Sequence, residues 1–224
     1  MPERTLVAHC SPTLAGMKTG NLFSCRYGSC SQLYAFAAKW NAELNPRGVY
    51  IRIMRSGRGM ALIYVYRKTR LEKDIQDIRV KRFMENCGYD CCDLDGMLDI
   101  LAGRLQKYSE FPHEIGVFLG YPFEDVRAFI SNRGRNYKHV GHWKVYSNEP
   151  AAIKTFRKFN KCTDMYCRLL DNGAELNRLT VTGKLISPKI LINRNSAVLS
   201  GGVIFYDITW QDSSFIVKTY RDSR

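Results

Sequence analysis

The stretch Ala8-His9-Cys10-Ser11-Pro12-Thr13, followed by Lys18, holds residue types that could do chemistry together. Residues 5–10 read as a short strand, and Ser11-Pro12 as an N-cap with proline at the first helical position. A helix starting just after a strand presents unpaired backbone N–H groups and the positive end of its dipole, which favours an anion. Ser11 and Thr13 would add hydroxyl donors, and Lys18 a point charge. Cys10 stands among them as a nucleophile or a ligand. Against this, Ser11 could be a plain cap and Gly16 and Gly20 packing residues, and the phosphate-loop spacing Gly-x-x-x-x-Gly-Lys is absent.

Cysteines supply the next candidates. Cys10, Cys25, Cys162 and Cys167 could compose a metal or iron–sulfur centre from remote segments. The spacing argues for small buried thiols instead. Zinc sites pair C-x₂₋₄-C with a second pair, and no ferredoxin-type run is present. Cys162 and Cys167 lie five apart on an expected helix, about 140° around its axis from one another.

Residues 111–130 hold two proline starts, two glycine breaks and the pair His113-Glu114. His113 could act as a base or ligand because its ordinary pKa lies near neutrality, and Glu114 could contact a bound group. Carboxylates just after a helix-starting proline also favour the dipole, which is a sufficient reason for Glu114, Glu124 and Asp125. Ile115, Gly116, Leu119, Gly120, Val126 and Phe129 match the spacing of a helix-turn-helix over residues 112–131. The exposed residues expected on its second helix include Glu124 and Asp125, which oppose phosphates. Basic side chains gather downstream instead: Arg133, Arg135, Lys138, Lys144, Lys154, Arg157, Lys158 and Lys161.

Positioning these groups requires a framework. Residues 49–54 and 60–66 alternate as a hairpin about Ser56-Gly-Arg-Gly59, with Val49, Ile51 and Ile53 on one face. Helices are expected over residues 31–44, 70–86, 94–108, 112–119, 122–132 and 149–170, and strands at 22–25 and 142–146. The fold class is α+β: a small, mostly antiparallel sheet built on the hairpin and the strands near 5–10 and 142–146, covered by helices. The expected core is Leu6, Ile51, Ile53, Ile63, Val65, Leu98, Leu101, Ile115, Leu119, Val126, Phe129, Val145 and Phe156. Composition changes near residue 181. Residues 1–181 read as one domain, and 182–224 as a β-rich extension with runs at 189–193, 203–210 and 215–220.

Length and composition fit an ordinary globular chain: 224 residues, 45% hydrophobic and 25% charged. No apolar run approaches the roughly 20 residues that cross a bilayer, and the start does not read as a signal peptide, so a cytoplasmic protein with no membrane insertion is expected. Eight cysteines in such a setting should be reduced. The formal net charge of +13 suits an acidic partner, although the excess is divided almost evenly between the chain's halves.

The segments around residues 9–23, 61–66, 111–130, 143–146 and 161–167 together resemble the bacterial family known as domain of unknown function 3793, over about residues 3–181. That resemblance implies a cytosolic protein, largely from anaerobic Firmicutes, and carries no activity, substrate or cofactor. Residues 182–224 do not resemble the family. The leading functional expectation is a ligand-binding or redox-associated domain. Its pocket for an anionic small molecule would form where the turn at residues 9–18 meets 111–121 and the helix bearing Cys162 and Cys167. The second is a nucleic-acid-binding regulator using the helix-turn-helix-like segment and the basic 127–161 region.

Overall fold

In the computed structural model, residues 3–90, 93–107 and 111–182 are described, with the backbone of 205–211 and 214–220. The sheet has the order β1-β3-β2, antiparallel throughout: β1 is Gly20–Arg26, β2 Val49–Gly57 and β3 Met60–Arg67. The hairpin turns through Arg58 and Gly59, both at positive φ (50° and 74°), the conformation that matches strand twist in a two-residue loop. A register shift between Ile53 and Arg55 lets Met54 join the same side as Leu62 and Tyr64.

Both faces of β3 are buried, where sequence alternation anticipates only one covered side. Ala61, Ile63 and Val65 face a core shared with α1 (Glu3–Leu14), α2 (Cys30–Leu44) and α9 (Leu176–Leu179). The last turns of α8 (Glu149–Asp171) add Tyr166, Cys167 and Leu170 to it. Leu62, Tyr64 and Tyr66 face a second core. Its cover is α3 (Lys68–Gln76), α4 (Ile78–Asn86), α5 (Leu94–Lys107), α6 (Ile115–Phe118) and α7 (Phe123–Ser131). A third, smaller cluster joins Trp143 and Val145 to Ala152, Phe156 and Phe159 of α8.

The α+β class and its central hairpin stand as expected, but three elements differ. Residues 5–10 are helical, inside α1, so they contribute no strand; β1 takes that place in the sheet. Residues 70–86 form two helices because Asp77 leaves helical geometry and caps the second through Arg79 N at 2.9 Å. Residues 142–146 contribute only β5 (Lys144–Val145), paired with β4 (His139–Val140) as a separate ribbon. Of the expected core residues all are buried except Ile53 and Phe129, which are half-buried. The runs at 203–210 and 215–220 correspond to a hairpin of β6 (Phe205–Gln211) and β7 (Ser214–Tyr220). The run at 189–193 lies outside the described residues.

Candidate functional site

The region from His9 to Lys18 is the end of a helix rather than its beginning. Gly16, at φ 71°, closes α1 with bonds from Gly16 N to Thr13 O and from Met17 N to Pro12 O. That is the glycine-terminated pattern of a C-terminus, which exposes carbonyls and disfavours anions. Pro12 is accommodated in the last turn, and the Ser11 hydroxyl donates back to Val7 O. Strand-to-helix geometry, and the free N–H groups it would offer, are therefore replaced by an electronegative end.

A buried arginine meets that end. Arg67 donates from Nε to Thr13 O at 2.6 Å and from Nη2 to Leu14 O and to Val181 O, the latter at 2.8 Å. Burial lowers its pKa, and the four carbonyls it reaches (Arg47 O is the fourth) compensate for lost water. The hydroxyl of Thr13 is paired with Asn21 Oδ1 at 2.7 Å. Lys18 is buried, donates to Gly20 O at 2.7 Å and lies 5.1 Å from the Tyr121 ring centroid. This region does meet the 111–121 segment, through Lys18 against Tyr121 and Thr19 beneath Gly120. It does so by packing.

Cys10 and Cys25 are thiols in hydrocarbon, and Cys162 and Cys167 lie buried and half-buried on α8. Cys10 is fully buried among Leu6, Leu14 and Phe23, and desolvation raises its pKa far above the ordinary thiol value despite Lys18. Cys25 is buried in the same core, and Cys167 packs against it half-buried. Cys162 is buried on α8, its thiol pushed up to about 12 by desolvation. Such thiols are poor nucleophiles at neutral pH. Among the described residues, no three His, Cys, Asp or Glu side chains gather as metal ligands.

Glu114 and Asp125 work as pins, a role that capping logic does not predict. Glu114 is buried and accepts from Tyr89 Oη at 3.0 Å and from Arg104 Nη1. Arg104 also donates to Cys87 O, so one ion pair ties α5, α6 and the end of α4. Asp125 is 2% exposed and takes three donors: Trp143 Nε1 at 2.8 Å, Tyr146 N at 2.9 Å and Ser147 N at 2.8 Å. Each acid follows a proline by two or three residues and meets partners outside its own helix.

Between α6, α7 and β5 lies a hollow lined by His113, Tyr121, Asp125, Phe129, Trp143 and Lys144, with Ile115, Gly116 and Val126. Cys10, Ser11, Thr13, Lys18 and Cys162 do not line it. Its free volume of about 30 Å³ suits a water or two and is far below the room an organic ligand needs. Lys144 beside it is engaged by Gly134 O at 2.9 Å and by the Tyr137 ring at 4.9 Å. The helix-turn-helix spacing is present in sequence only in outline. Its first helix, α6, has four buried residues, and its second turns Asp125 and Val126 inward while Glu124 pairs with Arg79 at 2.6 Å. Arg127 and Ser131 stay exposed on α7 beside Glu124.

A basic stripe runs along α8. Ala152, Phe156 and Phe159 face the core, and Lys154, Arg157, Lys158 and Lys161 are exposed on the opposite side. At 100° per residue these four fall within about 100° of the helix circumference. None of them takes part in the ion pairs of the described residues. Sequence reading found the basic residues but could not tell a scattered excess from a stripe.

Two helical layers on a three-stranded antiparallel sheet, with a small ribbon packed on the long helix, define an α+β protein. No helix among the described residues is long and apolar enough to cross a membrane. Over residues 6–180 the chain belongs to the family described as Protein of unknown function (DUF3793). No curated protein and no solved structure matches it.

Proposed function

We propose that this protein binds nucleic acid through the outer face of α8. The observation that carries the reading is the exposed stripe of Lys154, Arg157, Lys158 and Lys161, which takes part in no ion pair among the described residues. Two like-charge pairs, 154 with 158 and 157 with 161, stand one helical turn apart, and each disfavours the free helix by about 0.2–0.5 kcal/mol. Phosphates relieve that repulsion and release their counterions on binding. An anionic bilayer fits less well, because the apolar face that a surface helix would insert is occupied by the protein's own core. The contacts are to the backbone, so the reading is of charge and shape without base specificity.

The anion and thiol pocket around residues 9–18 is a weaker reading, since Ser11, Thr13 and Lys18 already have partners inside the protein. The decisive experiment is fluorescence anisotropy on labelled mixed-sequence DNA, single-stranded and duplex, across a range of salt. Affinity should fall steeply with salt. Joint replacement of Lys154, Arg157, Lys158 and Lys161 by alanine should lower the log–log slope on duplex by about 3–4, near 0.9 for each lost phosphate contact. Equal affinity and slope in both proteins would show that α8 is not the interface.

A further inference from the structure

The two edges of the sheet are not treated alike. On β2, the side chain of Asn41 bonds both main-chain groups of Ile51, accepting from its N–H and donating to its C=O, each at 2.8 Å. An amide standing in for a neighbouring strand closes that edge. The bond also fixes the ladder's phase. Ile51 points its main chain away from β3, so its partner Val65 must point toward β1. Asn21, opposite Val65, therefore bonds β3, as do Phe23 and Cys25, while Leu22, Ser24 and Arg26 aim their N–H and C=O groups outward. Two other bonds agree with this phase: Tyr27 N donates to Gly59 O at 3.0 Å, and Gly20 O, on the outward side, accepts Lys18 Nζ.

We infer that the outer edge of β1 is a strand-addition site and that its occupant is this chain's own β6, extending the sheet to the order β7-β6-β1-β3-β2. Three observations support the occupant. β6 has Cα atoms within 8 Å of β1, although β6 and β7 stand as a sheet of their own without a ladder to β1. Both strands are seven residues long. An isolated two-stranded hairpin is marginal in water and needs a third strand or a packing surface. The hairpin's phase supplies the complementary groups. Gln211 faces Ser214 as the pair that closes the turn, so Phe205, Asp207, Thr209 and Gln211 bond β7. Tyr206, Ile208 and Trp210 are left with main-chain groups on the free side. The family match ends at residue 180, so a segment outside it completes a sheet that the family's own residues leave open.

Residue-resolved hydrogen exchange on the full chain tests this. The amides of Leu22, Ser24 and Arg26 should be protected in the native protein. Ile208→Pro removes an outward N–H of β6 without touching the β6–β7 ladder. It should speed exchange at those three amides by at least about tenfold and leave Asn21, Phe23 and Cys25 unchanged. Val217→Pro, on the far side of β7, should leave β1 as it was. Fast exchange of the outward β1 amides in the native chain overturns the inference, as does their indifference to Ile208→Pro. Equal exposure in the two variants overturns β6 as the paired strand. Protection that rises with protein concentration overturns it in favour of a second copy at this edge.

Discussion

The Trp143 indole donates its Nε1 proton to Asp125 across 2.8 Å, fastening the β4–β5 ribbon to α7. The other carboxylate oxygen accepts the N–H groups of Tyr146 and Ser147, so one buried acid sets the path of the chain from the ribbon into α8. The basic stripe is thereby oriented from a distance: the ribbon packs on Phe156, and Phe156 lies behind the exposed lysines.

Asp125→Ala should therefore destabilise by about 3 kcal/mol, because it strands a buried indole N–H and two main-chain donors. Urea unfolding measures the loss. A red shift of native tryptophan emission should accompany it as Trp143 gains water. Unchanged stability would mean that Asp125 is not the pin its contacts describe.

Much of the fold was legible, and the misreadings have specific causes. Period-two alternation from Val49 to Val65 gave the hairpin, and the helical spacing of Leu33, Phe36, Ala37 and Trp40 gave α2. The strand assigned to 5–10 failed because Ser-Pro reads as a helix start, whereas here Pro12 sits in a last turn closed by Gly16. A better signal was available: Leu6, Val7, Cys10 and Leu14 recur at helical spacing and all are buried. The acids of 111–130 were read locally as dipole partners. Their true partners, Arg104 for Glu114 and Trp143 for Asp125, are separated by tertiary distance that no spacing rule reaches. The arginine that ends α1 was missed for the same reason, since Arg67 contacts carbonyls more than 50 positions away.

Stability should fall in alkaline solution. Desolvation pushes Tyr66 up to about 12 from 10.0, Tyr166 likewise, and raises buried Tyr64 well above its ordinary value. Cys162 rises to about 12 from 9.0. A raised folded pKa means that the unfolded chain loses its proton first, so stability is complete below the unfolded values and declines as pH climbs toward the folded ones. Urea midpoints should hold near pH 8 and drop between roughly pH 9 and 12. Tyr66→Phe should make that decline shallower. A flat profile would contradict the burial of these groups.

Gly120→Ala tests how closely the 111–121 segment lies on the end of α1. Gly120 has φ 69°, and an added Cβ would fall 2.4 Å from Thr19 Oγ1, which itself donates to Asp74. A left-handed backbone and a collision both oppose the side chain, for a loss of about 2–3 kcal/mol. Thr19→Gly combined with Gly120→Ala should be less damaging than the sum of the two single changes, because the colliding Oγ1 and the Cβ at 2.6 Å are then both removed. Additive losses would assign the whole effect to backbone strain.

Cys10 separates a packed thiol from a reactive one. It sits in hydrocarbon with its pKa driven up by desolvation, whereas Cys30 is exposed. In the native protein an alkylating agent followed by peptide mass mapping should modify Cys30 quickly and reach Cys10 only at the rate of unfolding. Cys10→Ser places a hydroxyl among Leu6, Leu14 and Phe23 and should cost about 1–3 kcal/mol, more than the smaller Cys10→Ala. The comparison is informative because a catalytic thiol would show the reverse pattern, with little change in stability and rapid labelling. Native-state modification of Cys10 at the rate seen for Cys30 would place the thiol in contact with solvent and return it to consideration as a reactive group.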